Sequence, residues 1–276
     1  MAIATLDQYV NSYKQKITYM RNGTVRTTVA NMYFSLFELT GNPSGGVLQG
    51  TVTGTATPIL PTDATPGCPN ILFAGSTGYL SKVTYSNTVA CKFHLYDLLS
   101  KSYYVFNAGA NTITNPLSIS GRCPDYTGAA DYGYGNEIWF EVYGTMTSAA
   151  TWTVAVTYYN QAGALKTAIT TTSAAAAALT IGKCLSIGLA AGDTGVQSIK
   201  SVTVTTGSAA AGGINILILR PLLTSMRVAV PGIVYEHDLL KTGMPRVYND
   251  SALYVLTQTD STSSGTPELA IEIAAA

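Results

Sequence analysis

The residues able to do chemistry are few and far apart. Histidine occurs twice, at His94 and His237. His94 alternates with Phe93 and Leu95 in a strand-like run, so its ring is expected on the face opposite theirs, as a structural or surface histidine. A zinc site would call for a second histidine at helical spacing or a cysteine pair, and neither H-x-x-x-H nor C-x-x-C occurs. His237 adjoins Glu236 and Asp238, residue types found in catalytic triads, yet no G-x-S-x-G marks a nucleophile. Asp125, Asp131 and Glu137 offer oxygen ligands in a Gly- and Tyr-rich stretch, but their spacing matches no calcium loop. The carboxylates form no recognisable pair for glycoside hydrolysis. The four cysteines, Cys68, Cys91, Cys123 and Cys184, are widely spaced and expected to be free, partly buried thiols. No catalytic residue, metal or cofactor is assigned.

Composition points to contact rather than catalysis. Charged residues make up 11% of the 276 residues and the formal net charge is zero; an ordinary soluble domain has roughly 25% charged residues. Such an exterior lacks the repulsion that keeps free proteins apart, so much of it is expected to be covered by other subunits. The neutral balance also argues against nucleic-acid binding, which needs a basic stripe. The sparse group Lys14, Lys16, Arg21 and Arg26 does not supply one. Tyrosine is abundant, 18 against 6 Phe and 2 Trp. It buries a ring while keeping a hydroxyl for a partner, which suits interfaces. No apolar run is long enough to span a membrane, and Met1-Ala-Ile-Ala-Thr-Leu-Asp-Gln8 is no secretory signal, so synthesis in a reducing cytoplasm is expected.

The elements that must position these residues are mostly strands. Leu6, Tyr9, Val10, Tyr13 and Ile17 fall on one helical face, with Thr5 and Gln8 at capping-box spacing. Asp7 and Lys14/Lys16 suit the two ends of the helix dipole. Beyond Thr24 the pattern turns to strands. Residues 47–67 read as an extended arm, since Pro58, Pro61 and Pro66 exclude a helix or central strand. Tyr79–Tyr85 and Val89–Leu95 read as a hairpin about Ser86-Asn-Thr88. A polar insertion covers 107–136. Short strands follow at 137–143, 151–159, 166–172, 183–189, 196–205 and 214–219, with turns at Asn160-Gln-Ala-Gly163 and Ala191–Gly195; 174–178 allows at most one helical turn. Leu269, Ile271 and Ile273 alternate as in an edge strand. The result is an all-β sandwich or barrel in three stretches: a helix, strand and arm (1–67), a β core (68–225), and an extended tail ending in a strand (226–276).

Several segments together resemble a family of tailed-bacteriophage virion structural proteins. They are Leu36-Phe-Glu-Leu-Thr-Gly-Asn-Pro43, Thr77-Gly-Tyr-Leu80, Thr88-Val-Ala-Cys91, Val154-Ala-Val-Thr-Tyr158, Ala191-Gly-Asp-Thr-Gly-Val-Gln197, Thr242-Gly-Met-Pro245, Asp250-Ser-Ala-Leu253 and Asp260-Ser-Thr-Ser-Ser-Gly-Thr-Pro267, with the opening Met1-Ala-Ile-Ala-Thr-Leu-Asp7. The likeness spans nearly the whole chain, and its motifs are of shape rather than chemistry. It implies a jelly-roll-like β-sandwich and a capsid cement or decoration protein on the virion surface. The implied partners are the major capsid protein and further copies of the chain, as a homotrimer, after synthesis in the bacterial cytoplasm. It carries over no catalytic residue. Partner contacts are expected at Leu6, Tyr9, Tyr13, Tyr126, Tyr132, Tyr134, Leu269 and Ile271. The alternative is a tail or head-fibre component whose loop tyrosines stack on host carbohydrate.

Overall fold

Thr5 starts a helix that lasts under two turns. In the computed structural model, which describes residues 3–22, 25–47, 59–73, 77–106, 109–113, 122–123, 133–144, 152–172, 181–206 and 212–275, α1 covers Leu6–Asn11 with the capping box formed as expected. The helix then stops, and Tyr13–Met20 is strand β1. Tyr13 and Ile17 are therefore strand residues. Positions four apart share a face in a strand as well as in a helix, so the apolar spacing did not separate the two. The Ile17-Thr-Tyr19 run favours the strand. Lys14 still reaches back to the helix end, donating to the carbonyls of Tyr9 (2.8 Å) and Val10 (3.1 Å).

By its internal contacts the chain forms two units. Unit 1 takes residues 1–47, 62–97 and 221–276, and unit 2 takes 48–61 and 98–220. The division passes inside two long strands, β4 (Cys91–Phe106) and β11 (Gly212–Val228). It does not follow three consecutive stretches, because the first and last strands of the chain pair with each other.

Unit 1 is a β-sandwich. In one sheet β1 pairs with β15 (Glu268–Ala275), β15 with β3 (Gly78–Ser86), and β3 with the short β12 (Tyr235–His237) and β13 (Arg246–Val247), all antiparallel. In the other layer β14 (Leu253–Thr259) lies between β2 (Tyr33–Ser35) and the first half of β4. Ile17, Leu80, Val83, Ile271 and Ile273 from the first sheet meet Phe93, Leu95, Met226 and Val255 in one buried core. Two sequence expectations change here. First, β15 has a partner on each side, so it is an interior strand and not an edge. The C-terminal stretch is core rather than an extended tail. Second, 79–95 is no hairpin, because β3 and β4 belong to different layers. The turn between them is tied elsewhere: Asn87 donates to the Ser264 carbonyl at 3.0 Å and accepts the Gly232 N–H at 2.8 Å.

Unit 2 is also antiparallel. One sheet runs β5 (Gly109–Ile113), β10 (Val196–Thr206), β7 (Trp152–Asn160), β8 (Leu165–Thr172). The β7–β8 hairpin turns as expected at Asn160–Gly163, where Asn160 Oδ1 accepts from Ala162 and Ala164 and Gly163 holds φ +73°. Strand β6 (Glu137–Gly144) lies between β9 (Lys183–Ile187) and the first half of β11. Ile138–Val142 and Gly213–Leu219 are buried without alternation, which marks strands covered on both faces.

Candidate functional site

The polar groups buried in this protein hold its shape. Arg21 is fully buried. It donates to the carbonyls of Leu36 (3.0 Å), Gly67 (3.1 Å) and Pro43, and its guanidinium lies 4.3 Å from the Tyr19 ring. These acceptors, like that of Met20, are main-chain oxygens, so it fastens two loops to the end of β1. Asp97 takes the Ser251 hydroxyl (2.7 Å) and the Ala252 N–H (3.0 Å). In unit 2 the ammonium of Lys101 meets Glu141 at 3.1 Å, both buried, and Asn215 donates to the same carboxylate. A buried charge without such partners would be costly.

The shape motifs turn out to be locks between turns. Thr242 donates its hydroxyl to the Leu80 carbonyl, and the Leu80 N–H donates to Pro245, which joins the Thr242–Pro245 and Thr77–Leu80 segments. The Asp260–Pro267 segment clasps the Asn87–Cys91 turn: Thr266 N–H donates to Thr88 and Asp260 N–H to Ala90. Gly41 sits where a Cβ would lie 1.9 Å from the Met20 carbonyl. In the Ala191–Gln197 segment, Asp193 accepts from Tyr158 (2.5 Å) and Asn160 (2.8 Å). Those bonds hold its carboxyl below the usual range, while burial pushes Tyr158 up to about 12. A Cβ on Gly195 would lie 2.0 Å from the Gly133 carbonyl, so the two loops touch backbone to backbone.

The histidines are structural. His94 is buried between Tyr33 and Tyr96 and stands apart from the core that holds Phe93 and Leu95. Burial pushes it down to about 4. His237 packs edge-on against Tyr85, with Nε2 3.2 Å from the hydroxyl. Among the described residues no group of three or more His, Cys, Asp or Glu could hold a metal ion. All four cysteines are buried thiols outside any disulfide.

The remaining feature is an apolar surface on unit 1. Leu6 and Val10 on α1 are 67% and 62% exposed, and Tyr13, at the start of β1, is 56% exposed. A groove of about 230 Å³ runs from Leu6 and Tyr9 to Leu239 and Met244, beside Leu240 on helix α2 (Leu239–Thr242), which is 83% exposed. Val230, Ile233 and Val234 stand out from a separate turn. Of the expected contact residues, Leu6 and Tyr13 are on this surface. Tyr9 is half-buried and donates to Glu272 at 3.2 Å, anchoring α1. Leu269 and Ile271 are core residues with no surface to offer; their alternation with polar residues fits an interior strand of a sandwich as well as an edge. Tyr134 is half-buried and its backbone bridges to Gly195. Tyr126 and Tyr132 lie outside the described residues, as do 48–58 of the expected arm, most of the 107–136 insertion, and 174–178. Leu240 and the 230–234 turn were missed. Pro231-Gly232 between apolar residues was the available signal.

No family profile and no curated protein matches the sequence. Among solved structures, a protein of Parabacteroides distasonis ATCC 8503 aligns at 7% identity and TM-score 0.26, covering 72% of this chain and 99% of that one. Infectious bursal disease virus, Gt strain, aligns at 7% and TM-score 0.18, covering 96% and 81%. The VP2 subviral particle of infectious bursal disease virus aligns at 8% and TM-score 0.19, covering 96% and 80%. These overlaps are too loose to carry an argument about fold or function.

Proposed function

We propose that this chain is a structural component of a bacteriophage virion: a decoration protein that binds and stabilises the shell of major capsid protein, with copies grouped as trimers. The observation that carries the reading is the exposed Leu6–Val10–Tyr13 face with Leu240, on a chain only 11% charged. Large apolar side chains grouped on a charge-poor exterior mark a surface meant to be covered. The resemblance of the turn-locking motifs to virion proteins supports the same reading. Buried Arg21, Asp97 and the Lys101–Glu141 pair hold turns and strands together, in keeping with a structural role.

The test is a Leu6→Asp/Val10→Asp double variant in capsid binding, together with a cryo-EM map of the particle. Both side chains are exposed, so stability should change by no more than about 0.5 kcal/mol per site, while occupancy on the shell collapses. Undiminished capsid binding by the double variant would overturn the proposal. So would a map placing the wild-type chain in a few copies at the tail.

A further inference from the structure

Strand β1 borders its sheet. It pairs along its length with β15, and among the described residues no strand lies on its other side. Met20 exchanges main-chain bonds with Asn42, at 2.7 and 3.0 Å, so its peptide groups point away from β15, whereas the next N–H, of Arg21, points back to Pro267. The β1–β15 register has no bulge, and antiparallel pairing alternates direction residue by residue. The N–H and C=O of Lys16 and Thr18 therefore point outward, and among the described residues nothing bonds them.

An open cavity of about 550 Å³ lies along this stretch, between β1 and the loops Asn42–Ser44 and Asp63–Asn70. Arg21 pins both loops, through the carbonyls of Pro43 and Gly67. At the far end the Gln15 amide holds the next segment, donating to Asn70 and accepting from Leu72. Between these closures about 13 Å of edge stays open, room for about four residues of extended chain.

Charge says what kind of chain. Across the outer face, Lys16 stands opposite Glu272 and Glu272 opposite Lys82 in the strand register, and Lys82 pairs with Glu236 at 2.7 Å. The row alternates in sign and ends at Lys16, which forms no ion pair among the described residues. A further strand would continue the row with an acidic residue.

We propose that the open edge of β1 at Lys16–Thr18 is a strand-addition site for an extended acidic segment of a partner polypeptide. Outward donor–acceptor pairs two residues apart are matched by another extended backbone. The inference rests on strand geometry and does not depend on the virion reading.

The test titrates the ¹⁵N-labelled full chain with acetyl-Thr-Val-Glu-Val-Thr-amide. Binding should shift the Lys16 and Thr18 amide signals and slow their hydrogen exchange, leaving the exchange of the Ile17 amide, which faces β15, unchanged. Lys16→Glu should weaken binding by about tenfold, from a lost favourable pair and a gained like-charge pair, and should instead prefer acetyl-Thr-Val-Lys-Val-Thr-amide. Thr18→Pro removes one outward N–H that β15 does not use, so it should abolish binding without lowering the melting temperature; if it fails to fold, the charge swap decides. No shift at Lys16 and Thr18 with millimolar peptide would overturn the proposal, as would equal affinity for the two peptides. Aggregation of Lys16→Glu with unchanged peptide affinity would also overturn it, leaving Lys16 as a guard of the edge. Intact capsid binding alongside a blank titration would sink this site alone.

Discussion

Arg21→Met tests whether one side chain holds the loops around β1. Arg21 is fully buried and donates to Leu36, Pro43 and Gly67. A hydrogen bond to a charged group contributes about 1.5–3 kcal/mol, so three give a gross loss of about 4.5–9 kcal/mol. Methionine keeps most of the stem packing, and removing the guanidinium relieves a desolvation cost of several kcal/mol. The net destabilisation should be about 3 kcal/mol, or about 6–12 °C in melting temperature for a chain of this size. Calorimetry reads the global change. Hydrogen exchange reads the local one, with faster exchange expected at Gly46 and Cys68, whose N–H groups bond Phe37 and Thr65 within the pinned loops. Arg21→Lys keeps the charge but loses the planar fork of donors and should fall between the two. A methionine variant melting within about 1 °C of wild type, or a lysine variant indistinguishable from it, would refute the reasoning.

Two further perturbations follow from the geometry. Gly195→Ala should cost more than about 3 kcal/mol in thermal or urea unfolding, because its Cβ would meet the Gly133 carbonyl at 2.0 Å. Gly192→Ala, at φ +87° but in open space, should cost only about 1–2 kcal/mol; equal losses would show that the close crossing does not matter. His94 is pushed down to about 4 by burial, so below pH 6.5 the unfolded chain binds a proton that the folded chain does not. Its contribution is present above pH 6.5 and lost as the pH falls towards 4, by at most about 3 kcal/mol. Replacing His94 with Phe should flatten that limb of the stability–pH curve, and an unchanged slope would count against it.

Much of the local structure was legible in the sequence. The Thr5/Gln8 capping box, the Asn160–Gly163 turn and the strands of 137–219 depend on neighbours in the chain, and they form as the residue types dictate. The candidate surface was half legible: the apolar spacing named Leu6 and Tyr13, but it also named Leu269 and Ile271, which are core. Alternation says that a strand has two unlike faces; it does not say whether each border has a partner. Here β1, more than 240 residues earlier, closes one border of β15, and β3 closes the other.

The sequence by itself determined an all-β chain with a charge-poor exterior and glycine-marked turns, because composition and period act over a few residues. Tertiary structure alone decided where α1 ends, that β3 and β4 part into separate layers, and that the chain divides inside β4 and β11. It also decided that, among the described residues, no strand pairs with the outer edge of β1, which lies beside an open cavity. Each of these depends on hydrogen bonds between residues far apart in the chain, such as Asn87 to Ser264 and Met20 to Asn42. Period and propensity carry no record of which distant backbone will supply the partner.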